Sequence, residues 1–534
     1  MTEYDDTAGR AVLQTLRSYG ITTVFGIPGT HNLELYRPLA SLGIRAVTTR
    51  HEQGAGYAAD GWAQQTGLPG VVITTSGPGL QNAMSAVGTA YCESRPMIVL
   101  SPGPATGDEF ADRGTLHETK DATAMAGAVA LWSRRAASAA EAVQAVHDAF
   151  ELFRTGRPRP VHIEIPLDVL EAPADVPQAE REARAMPQAT GGDAALIAHA
   201  ASLAATADRP VIIAGGGATG AGAEITTLAE RLGAPVLTTL NGKGTVDEHH
   251  PLSLGSNLRL PSARAAAEAS DLLIVVGSKL GEAELWAPAL HPHGDVIRVD
   301  VAEAQLQKNL TAAVAIRGDA AAVVGRLVAA LPHDVRPAPD LAEVRARIAA
   351  EIAEALPDTA ALGARVVDAL PDDAIVAGDS SQIVYMAVAN QLQAAVPHTL
   401  LYTPTYATLG YGLPAAIGAR IADPSRPVVT VIGDGALMFC VNELITAIEQ
   451  RLDLTVVCVE NGGYAEIKQN EVDRGIHPIG VDLVQPDWPA LASAFGATGR
   501  AVDATGDVEG TVQAAISAGG VQLVHIRQEE THHE

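Results

Sequence analysis

The sequence is poor in aromatic residues, in cysteine and in positive charge. Aromatic residues make up 4% of the chain, and the three cysteines (Cys92, Cys440 and Cys458) stand in apolar surroundings without metal-ligand spacing. This argues against a disulfide framework and indicates buried thiols in a reducing compartment. The chain has no apolar run of about 18 residues, and its acidic first residues lack the apolar segment of a secretory signal. We therefore expect a soluble, cytoplasmic protein.

Acidic residues clearly outnumber basic ones. Lys and Arg number 36 against 62 Asp and Glu, which gives a formal net charge of −26. This charge argues against non-specific binding to nucleic acid or to an anionic membrane, so we expect neither partner. With 534 residues, 47% of them apolar, the chain has room for about three domains with cores of their own.

Short buried-strand patterns alternate with helical patterns along the whole chain. This alternation predicts an α/β fold with doubly wound, mainly parallel sheets. Two stretches, 173–192 and 333–339, are rich in proline and charged residues, which is typical of linkers between domains. We therefore predict three sheet domains, at residues 1–172, 190–335 and 350–534, and a helical stretch over residues 350–370.

Two polar motifs follow two successive strand patterns in the third domain. The motif 433–435 (Gly-Asp-Gly) comes after the β-branched run 427–432, and the motif 460–464 (Glu-Asn-Gly-Gly-Tyr) comes after the run 454–459. Both motifs leave the carboxyl ends of strands, where open α/β sheets bind ligands. Carboxylate, amide and carbonyl oxygens suit Mg²⁺, and glycines allow close approach to a diphosphate. The alternative is a tight turn followed by an unrelated Asn-Gly turn.

In order and spacing these motifs resemble the signature of thiamine diphosphate-dependent enzymes of the acetolactate synthase and 2-oxo acid decarboxylase group. The resemblance implies that Asp434, Asn461 and the carbonyl of Gly463 bind Mg²⁺. Glu460 departs from the pattern, because it stands where the family usually has a first Asn. The resemblance also implies cofactor contacts for a further set of residues: Ser381, Gln382, Gly433, Gly435, Ala436 and Tyr464.

A carboxylate also stands at a strand-to-helix junction in the first domain. By itself, Glu52 could simply be a favourable partner of the helix dipole. The segment 49–56 is similar, however, to the family's Arg-His-Glu-Gln-Gly-Ala segment. There the Glu exchanges a proton with the aminopyrimidine of the cofactor, which is general acid–base catalysis by a positioned carboxyl group. We therefore expect Glu52 to bind the cofactor and to be catalytic.

The segment 406–414 resembles the one that bends the cofactor in this family. By position, Leu409 would be the apolar wedge, and the carbonyl of Ala407 would receive the cofactor's amino group. The alternative is an ordinary glycine-rich helix start. For Ser381, the alternative is a role limited to capping a helix.

Substrate contacts are predicted from two loops that match active-site loops of the family, and from one helix. His117 falls where relatives carry a Gln or His that faces the reacting centre, so we expect it to be catalytic. His31 and the pair Gln81 and Asn82 are weaker substrate-side candidates. Glu466 suggests a cationic substrate, since a guanidinium would offset the cost of burying a carboxylate. The alternatives are that Glu466 faces solvent or pairs with a cation of the chain: Lys468, Arg474 or Arg113.

The middle domain contains a Gly-x-Gly-x-x-Gly pattern at residues 215–220, after a predicted strand. The next strand runs into the segment 241–244 and not into an acidic residue, which argues against a nicotinamide cofactor. Some relatives lay FAD across this domain, so FAD stays open as an alternative. We favour a tight turn that only packs a helix against the sheet.

The resemblance covers essentially the whole chain and implies a pyrimidine-binding, a central and a diphosphate-binding domain. We expect thiamine diphosphate and Mg²⁺ as cofactors, and non-oxidative decarboxylation of a small 2-oxo acid, such as 5-guanidino-2-oxopentanoate, to an aldehyde. An acetolactate synthase-type carboligase and a catalytically inactive homologue are the alternatives. Glu52 and Asp434 meet across a subunit interface in the family. We therefore expect a homodimer at least, and a homotetramer as in many relatives.

Overall fold

The structure is a computed structural model that describes residues 6–528. Its first unit is built on a six-stranded parallel sheet. Its strands are β1 (Thr23–Gly26), β2 (Arg45–Thr48), β3 (Gly70–Ile73), β4 (Met97–Gly103), β5 (Trp132–Arg135) and β6 (Val161–Pro166). Its helices are α1 (Ala8–Ser18), α2 (Leu33–Tyr36), α3 (Glu52–Thr66), α4 (Pro78–Glu93), α5 (Ala122–Gly127), α6 (Ala139–Thr155) and α7 (Leu167–Glu171). The strand order is β2-β1-β3-β4-β6-β5, and β1, β3, β4 and β6 are buried along their whole length, as expected for a sheet covered on both faces.

The second unit is a five-stranded parallel sheet. Its strands are β7 (Pro210–Ala214), β8 (Val236–Thr238), β9 (Leu272–Val276), β10 (Asp295–Asp300) and β11 (Val314–Arg317). Its helices are α8 (Ala194–Thr206), α9 (Gly222–Leu232), α10 (Pro261–Glu268), α11 (Glu282–Leu285) and α12 (Ala320–Ala330). The strand order β11-β10-β9-β7-β8 leaves β7 and β9 in the middle, where their apolar side chains are buried.

The third unit is again a six-stranded parallel sheet. Its strands are β12 (Ile375–Gly378), β13 (Leu400–Leu401), β14 (Val428–Gly433), β15 (Leu454–Glu460), β16 (Thr498–Asp503) and β17 (Val521–Arg527). Its helices are α14 (Pro357–Asp368), α15 (Ala389–Gln391), α16 (Gly412–Ala422), α17 (Asp434–Leu437), α18 (Glu443–Glu449), α19 (Ala465–Asp473), α20 (Trp488–Phe495) and α21 (Val508–Ala518). They are preceded by α13 (Ala342–Ala355), which packs against the core of the second unit. The order β13-β12-β14-β15-β17-β16 makes β14 and β15 neighbours. The predicted α/β fold with three parallel-sheet domains is confirmed, while the exact domain boundaries stay a prediction.

The helical stretch predicted over residues 350–370 is two helices. They are α13 and α14, which meet at Leu356, a residue with non-helical backbone angles (φ −146°, ψ 86°). Pro357 is the first residue of α14. Proline lacks an N–H group and its ring collides with the preceding turn, so it can start a helix but interrupts one that would run through it.

The first and third sheets contact each other through α3 and α16, and small residues make this contact close. A Cβ atom at Gly61 would lie 2.0 Å from the carbonyl oxygen of Ala415, and one at Gly418 would lie 1.8 Å from that of Ala58. The two backbones therefore touch where any larger side chain would collide. This fixes α3, which begins with Glu52, on the surface of the third domain. None of the described helices is long and apolar enough to span a bilayer, and the cytoplasmic location stays a prediction.

Candidate active site

Three oxygen atoms converge where β14 and β15 end. Asp434 is the first residue of α17, directly after β14, and Asn461 directly follows β15, the parallel neighbour of β14. The side-chain oxygen of Asn461 lies 3.2 Å from the carbonyl oxygen of Gly463 and 3.3 Å from Oδ1 of Asp434. Oxygens this close repel each other unless the amide turns over, so that its NH₂ group donates, or a cation lies among them.

A cation fits this set of donors. Adjacent ligands of an octahedral Mg²⁺ ion are about 3.0 Å apart, because each lies about 2.1 Å from the metal. The observed separations of 3.2 and 3.3 Å are slightly longer. Among residues 6–528 no group of three His, Cys, Asp or Glu side chains could hold a metal, but Mg²⁺ also accepts a mixed set of carboxylate, amide and carbonyl oxygens. Asp434, Asn461 and Gly463 provide such a set, and their role as ligands stays a prediction.

The carboxyl group of Asp434 is itself held in place. Burial raises its pKa to about 6, against the lowering effect of the N–H groups of Gly435 and Asn461. Gln485 donates a hydrogen bond from Nε2 to Oδ2 of Asp434 at 2.5 Å, which leaves Oδ1 facing the other two oxygens. The sequence analysis missed Gln485, since it lies 51 residues from Asp434 in the chain and no motif marks it.

The segment that carries Gln485 also shapes the loop of Gly463. The N–H of Tyr464 donates to the carbonyl of Val481, and the N–H of Leu483 donates to that of Gly462, each at 2.9 Å. Gly463 has a φ of +142°, and a Cβ atom there would lie 2.1 Å from the Val481 oxygen. Only glycine is tolerated at such a position, so the loop presents a backbone carbonyl where a side chain would not fit.

The residues predicted to contact the diphosphate lie next to these oxygens. Oγ of Ser381 accepts the N–H of Gly433 at 2.8 Å, so its own proton remains available to donate. Oε1 of Gln382 accepts from Nδ2 of Asn461 at 3.3 Å. A Cβ atom at Gly435 would lie 2.9 Å from the ring of Tyr464, which packs over the start of α17, where Ala436 is buried. The third domain therefore brings together the metal and diphosphate candidates.

The predicted wedge segment has a constrained backbone. Ala407 has a φ of +51°, in the left-handed region that residues other than glycine rarely adopt. Leu409 is half-buried against the core of the third domain. Asp379, fully buried, accepts the N–H groups of Gly410 at 3.2 Å and Gly412 at 2.8 Å, and burial raises its pKa to about 6. Asp379 was not singled out from the sequence, although it directly follows β12 as Asp434 follows β14.

Glu52 is the first residue of α3 and is 7% exposed. Its Oε2 accepts a hydrogen bond from Nδ2 of Asn82 at 3.0 Å, and a Cβ atom at Gly79 would lie 3.0 Å from its Oε1. The carboxyl group is therefore fixed between α3 and the start of α4. Gln81, the neighbour of Asn82, has an exposed side chain.

The two predicted histidines lie together on the same domain. Their rings are 5.2 Å apart in an edge-on arrangement, and Oγ of Ser76 lies 2.7 Å from Nδ1 of His31 and 3.5 Å from Nδ1 of His117. Burial, and then the neighbouring His117, lower the pKa of His31. His117 has a φ of +60° and closes over Gly77, where a Cβ atom would lie 2.6 Å from the His117 carbonyl oxygen. Ser76, which the sequence analysis did not identify, links the two imidazoles.

Glu466 lies in the first turn of α19 with an exposed side chain. Its Oε2 accepts from Nε2 of Gln382 at 3.1 Å and from the hydroxyl of Tyr385 at 3.4 Å, and Nδ2 of Asn470 lies 3.4 Å from its Oε1. Gln382 thus joins Glu466 to Asn461. Of the cations considered as partners, Lys468 pairs with Asp482 at 2.8 Å and Arg113 pairs with Asp108 at 2.8 Å.

The Glu52 group and the Asp434 group lie on different domains. Among the described residues, no hydrogen bond joins Glu52, Asn82 or the two histidines to the oxygens around Asp434. The predicted site residues therefore form two separate groups, here named half-sites, one on the first sheet and one on the third.

The glycine-rich pattern of the central domain forms a close turn. A Cβ atom at Gly215 would lie 2.3 Å from the carbonyl oxygen of Gly277, so the turn after β7 packs against the turn after β9. A cavity of about 130 Å³ lies at this edge of the sheet, and its lining includes Gly216, Arg157 and Asp300. The close packing agrees with a structural role for the pattern, and the expectation about FAD stays a prediction.

Comparison with known proteins gives the same three-part division. Residues 6–145 match the family model of the thiamine pyrophosphate enzyme N-terminal TPP binding domain, residues 197–327 that of the central domain, and residues 381–526 that of the C-terminal TPP binding domain. An X-ray structure described as that of "a putative thiamin diphosphate-dependent enzyme" from Mycobacterium smegmatis superposes with a TM-score of 0.83 at 24% identity, covering 98% of this chain and 99% of that one. This similarity shows a common fold.

Curated relatives match over nearly their whole length. The "Probable 2-ketoarginine decarboxylase AruI" of Pseudomonas aeruginosa is 40% identical over 98% of this chain and 94% of its own. The acetolactate synthase isozyme 1 large subunit of Escherichia coli is 30% identical over 98% of this chain and 94% of its own. The resemblance seen in the sequence is thus confirmed, and the chain belongs to the thiamine pyrophosphate (thiamine diphosphate) enzyme family.

Proposed function

We propose that this enzyme, with thiamine diphosphate and Mg²⁺, decarboxylates a 2-oxo acid with a cationic side chain to the corresponding aldehyde. Two findings support the proposal. One is the 40% identity, over nearly both full lengths, to a protein named as a probable 2-ketoarginine decarboxylase. The other, which carries the proposal from the structure, is the carboxylate of Glu466 beside the group of converging oxygens.

The third domain would hold the diphosphate end of the cofactor. Asp434, Asn461 and the Gly463 carbonyl would bind Mg²⁺, and Ser381 with the N–H groups at the start of α17 would donate to phosphate oxygens. Leu409, half-buried against the core of the third domain, would provide an apolar contact for the cofactor. When bound, thiamine diphosphate supplies a nucleophilic carbon and a cationic ring that accepts the electron pair released with carbon dioxide.

Glu52 would move the proton that activates the cofactor. Its Oε2 is engaged by Asn82, so Oε1 is the oxygen left to share a proton with a ring nitrogen of the pyrimidine. Its low exposure keeps water away from this hydrogen bond.

A second proton is needed because decarboxylation replaces the carboxylate of the 2-oxo acid with hydrogen. His31 and His117 are titratable groups held together by Ser76 on the same half-site as Glu52. We assign the delivery of this proton to the pair, since an imidazole can donate and accept a proton at its ring nitrogens.

Glu466 would select the substrate by charge. The donors at its two oxygens, Gln382, Tyr385 and Asn470, are neutral and therefore orient the carboxylate without neutralising it. A guanidinium binds a carboxylate through two parallel N–H bonds, which an ammonium group cannot match and a neutral side chain cannot replace. Glu466 is exposed in one chain. We therefore expect its pairing with the substrate's guanidinium to contribute a binding free energy at the lower end of the range for a charged hydrogen bond, about 1.5 kcal/mol.

The test compares two substrates and two variants. We expect a higher kcat/KM for 5-guanidino-2-oxopentanoate than for an uncharged 2-oxo acid of equal length, and Glu466→Gln should reduce this ratio about tenfold. Asp473→Asn is the matched control, because it removes one negative charge from the other end of α19. A wild-type preference for the uncharged acid, or the same ratio in both variants, would refute the role of Glu466.

Acetolactate synthase-type carboligation is the second candidate, supported by relatives at about 30% identity that carry this name. Carboligation would join the decarboxylated acid to a second carbonyl compound. Measuring carbon dioxide, aldehyde and ligation product in one reaction decides between the two. Release of one aldehyde per carbon dioxide supports decarboxylation, whereas less aldehyde with a matching ligation product supports the second candidate.

We further propose that the smallest active unit is a homodimer and that two such dimers assemble into a homotetramer. Large apolar side chains are exposed beside the predicted residues of both half-sites, which is typical of surfaces that another chain covers. On the first domain these are Leu33 (52% exposed) and Leu116 (63%), and on the third they are Phe439 (53%) and Ile467 (52%). A second copy would bring its third domain to the Glu52 group of the first.

Mixing two inactive variants tests the shared site. Glu52→Gln and Asp434→Ala should each be inactive alone, whereas subunit exchange would restore at most about a quarter of the sites, those that combine an intact Glu52 with an intact Asp434. A monomer in sedimentation analysis at assay concentration, or no recovery although the subunits exchange, would contradict the proposal.

A further inference from the structure

Two buried carboxylates cross between the first and third domains in opposite directions. Glu93, the last residue of α4, reaches from the first domain to the third and is 6% exposed. Glu443, the first residue of α18, reaches from the third domain to the first and is 1% exposed. Neither residue belongs to the motifs singled out from the sequence.

Glu93 holds the segment that leads to the predicted wedge. Its Oε1 accepts the N–H groups of Thr405 at 2.8 Å and Tyr406 at 2.9 Å. Its Oε2 accepts from Nδ2 of Asn241 at 2.8 Å, so that one carboxylate joins all three domains. The residue after Tyr406 is Ala407, whose backbone is in the left-handed region.

Glu443 holds the segment that leads to Glu52. Its carboxylate accepts the N–H of Arg50 at 3.1 and 3.2 Å and the N–H of His51 at 3.1 Å. Thr446 donates to its other side at 2.6 Å. The contact continues along α3, since a Cβ atom at Gly54 would lie 2.5 Å from Oε1 of Glu443.

Both contacts have the same physical form. A buried carboxylate is tolerated when several donors satisfy it, and here backbone N–H groups of the opposite domain are among those donors. A left-handed alanine persists only where its surroundings determine the backbone, and a catalytic carboxyl group at a helix start is only as well placed as the turn before it. In each case the two N–H groups come immediately before the predicted cofactor contacts.

We propose that Glu93 and Glu443 are reciprocal positioning residues: Glu93 sets the backbone that presents Ala407 and Leu409, and Glu443 sets the backbone that presents Glu52. The inference rests on the proposed function, because it takes these three residues as cofactor contacts. The roles are separable, since Glu93 bonds to the segment before Ala407 and not to the one before Glu52, and Glu443 does the opposite.

Hydrogen exchange of the metal- and cofactor-free protein tests the placement without using activity. Glu93→Ala should speed amide exchange at least tenfold in residues 403–411 and leave residues 45–57 unchanged, whereas Glu443→Ala should do the reverse. Glu248→Gln is the control for the loss of a buried carboxylate elsewhere: Glu248 is 7% exposed, and its Oε2 accepts the N–H of Ala394 from the third domain and pairs with Lys243 at 2.7 Å, away from both segments. Equal acceleration in both segments by either variant, or none, would overturn the inference.

Kinetics and cofactor titration then separate positioning from general stability. In the holoenzyme, Glu93→Gln and Glu443→Gln should lower kcat at least tenfold while changing the dissociation constant of the Mg²⁺–thiamine diphosphate complex less than threefold. Glu248→Gln should change neither. Should an alanine variant fail to fold, the glutamine variant decides by the same exchange pattern, because it keeps one acceptor oxygen and should show a smaller change in the same segment. Full turnover in both glutamine variants would overturn the inference. A wild-type protein with no thiamine diphosphate-dependent turnover would instead refute the proposed function, and the exchange test would stay valid.

Discussion

Replacing Asn461 with alanine tests whether the three converging oxygens form a cation site. The variant removes the atom that lies 3.2 Å from the Gly463 oxygen and 3.3 Å from Oδ1 of Asp434, and leaves the other two oxygens in place. Loss of even an indirect partner of a metal lowers its affinity about 10–100-fold. For a direct ligand we therefore expect Mg²⁺ affinity to fall about 100-fold or more.

Metal binding and a turned amide both explain the short oxygen–oxygen distances, but they predict different effects of Mg²⁺ on the free energy of unfolding. If Asn461 binds Mg²⁺, an ion concentration of 100 times the wild-type Kd stabilises the wild type by about 2.7 kcal/mol and a 100-fold weaker variant by about 0.4 kcal/mol. The difference of about 2.3 kcal/mol corresponds to roughly 5–9 °C in the melting midpoint of a domain of this size. If the amide is turned over and donates to both oxygens, alanine costs two hydrogen bonds, about 1 kcal/mol each, with or without Mg²⁺.

The assay is thermal unfolding of both proteins with and without Mg²⁺, together with calorimetric titration of Mg²⁺ at saturating thiamine diphosphate. Asn470→Ala is the matched control, because Asn470 carries the same amide on α19 and donates to Glu466. We expect the Mg²⁺-dependent shift to disappear in Asn461→Ala and to persist in Asn470→Ala. An unchanged Mg²⁺ response in Asn461→Ala, with the same loss of stability under both conditions, would refute the metal interpretation.

Three further predictions concern the residues around this site and the first sheet. Glu52→Gln should keep cofactor affinity within about tenfold and lower turnover about 100-fold or more, as steady-state kinetics and cofactor titration would show; near-normal turnover would contradict its role as a proton donor. Gln485→Leu should weaken Mg²⁺ binding about tenfold by freeing Oδ2 of Asp434, measured by titration, and equal affinity would show that Gln485 only packs. Burial lowers the pKa of His162 from 6.5 to about 3, so below about pH 6.5 the unfolded chain binds a proton that the folded one does not. The free energy of unfolding should then fall by about 1.4 kcal/mol per pH unit as the pH decreases from about 6.5, and His162→Gln, compared by denaturant titration at pH 7 and pH 5, should lose about 2 kcal/mol of this pH dependence.

The parts of the site that local rules determine were predictable from the sequence. Asp434 and Asn461 each follow a buried strand, and parallel strands end at the same edge of a sheet, so their convergence follows from the pattern once the strands are recognised. The three-domain α/β fold follows in the same way from the alternation of strand and helix patterns. Pro357 shows the limit of periodicity, because the helical pattern continues through it while the helix restarts there.

The residues that hold these segments in place were not predictable, because their partners are backbone groups. Gln485 lies 51 residues from Asp434, and Glu443 lies 393 residues from Arg50. A backbone N–H group has the same chemistry at almost every residue, so the sequence contains no signal that pairs it with a particular carboxylate. Such a side chain looks like any polar residue near a helix end, and only its burial in the fold distinguishes it.

Glu460 illustrates how the same reasoning explains a departure from the family pattern. A carboxylate in place of the usual amide adds negative charge beside the predicted metal ligands, and it contributes to the raised pKa of Asp434. The carboxylate has a partner on the neighbouring strand β17, since Oε2 of Glu460 lies 2.7 Å from Nε2 of His525. The side chain is thus engaged by the sheet, while Asn461, the next residue, faces the converging oxygens. A change at Glu460, the last residue of β15, therefore alters the support of the strand without replacing an oxygen of the site.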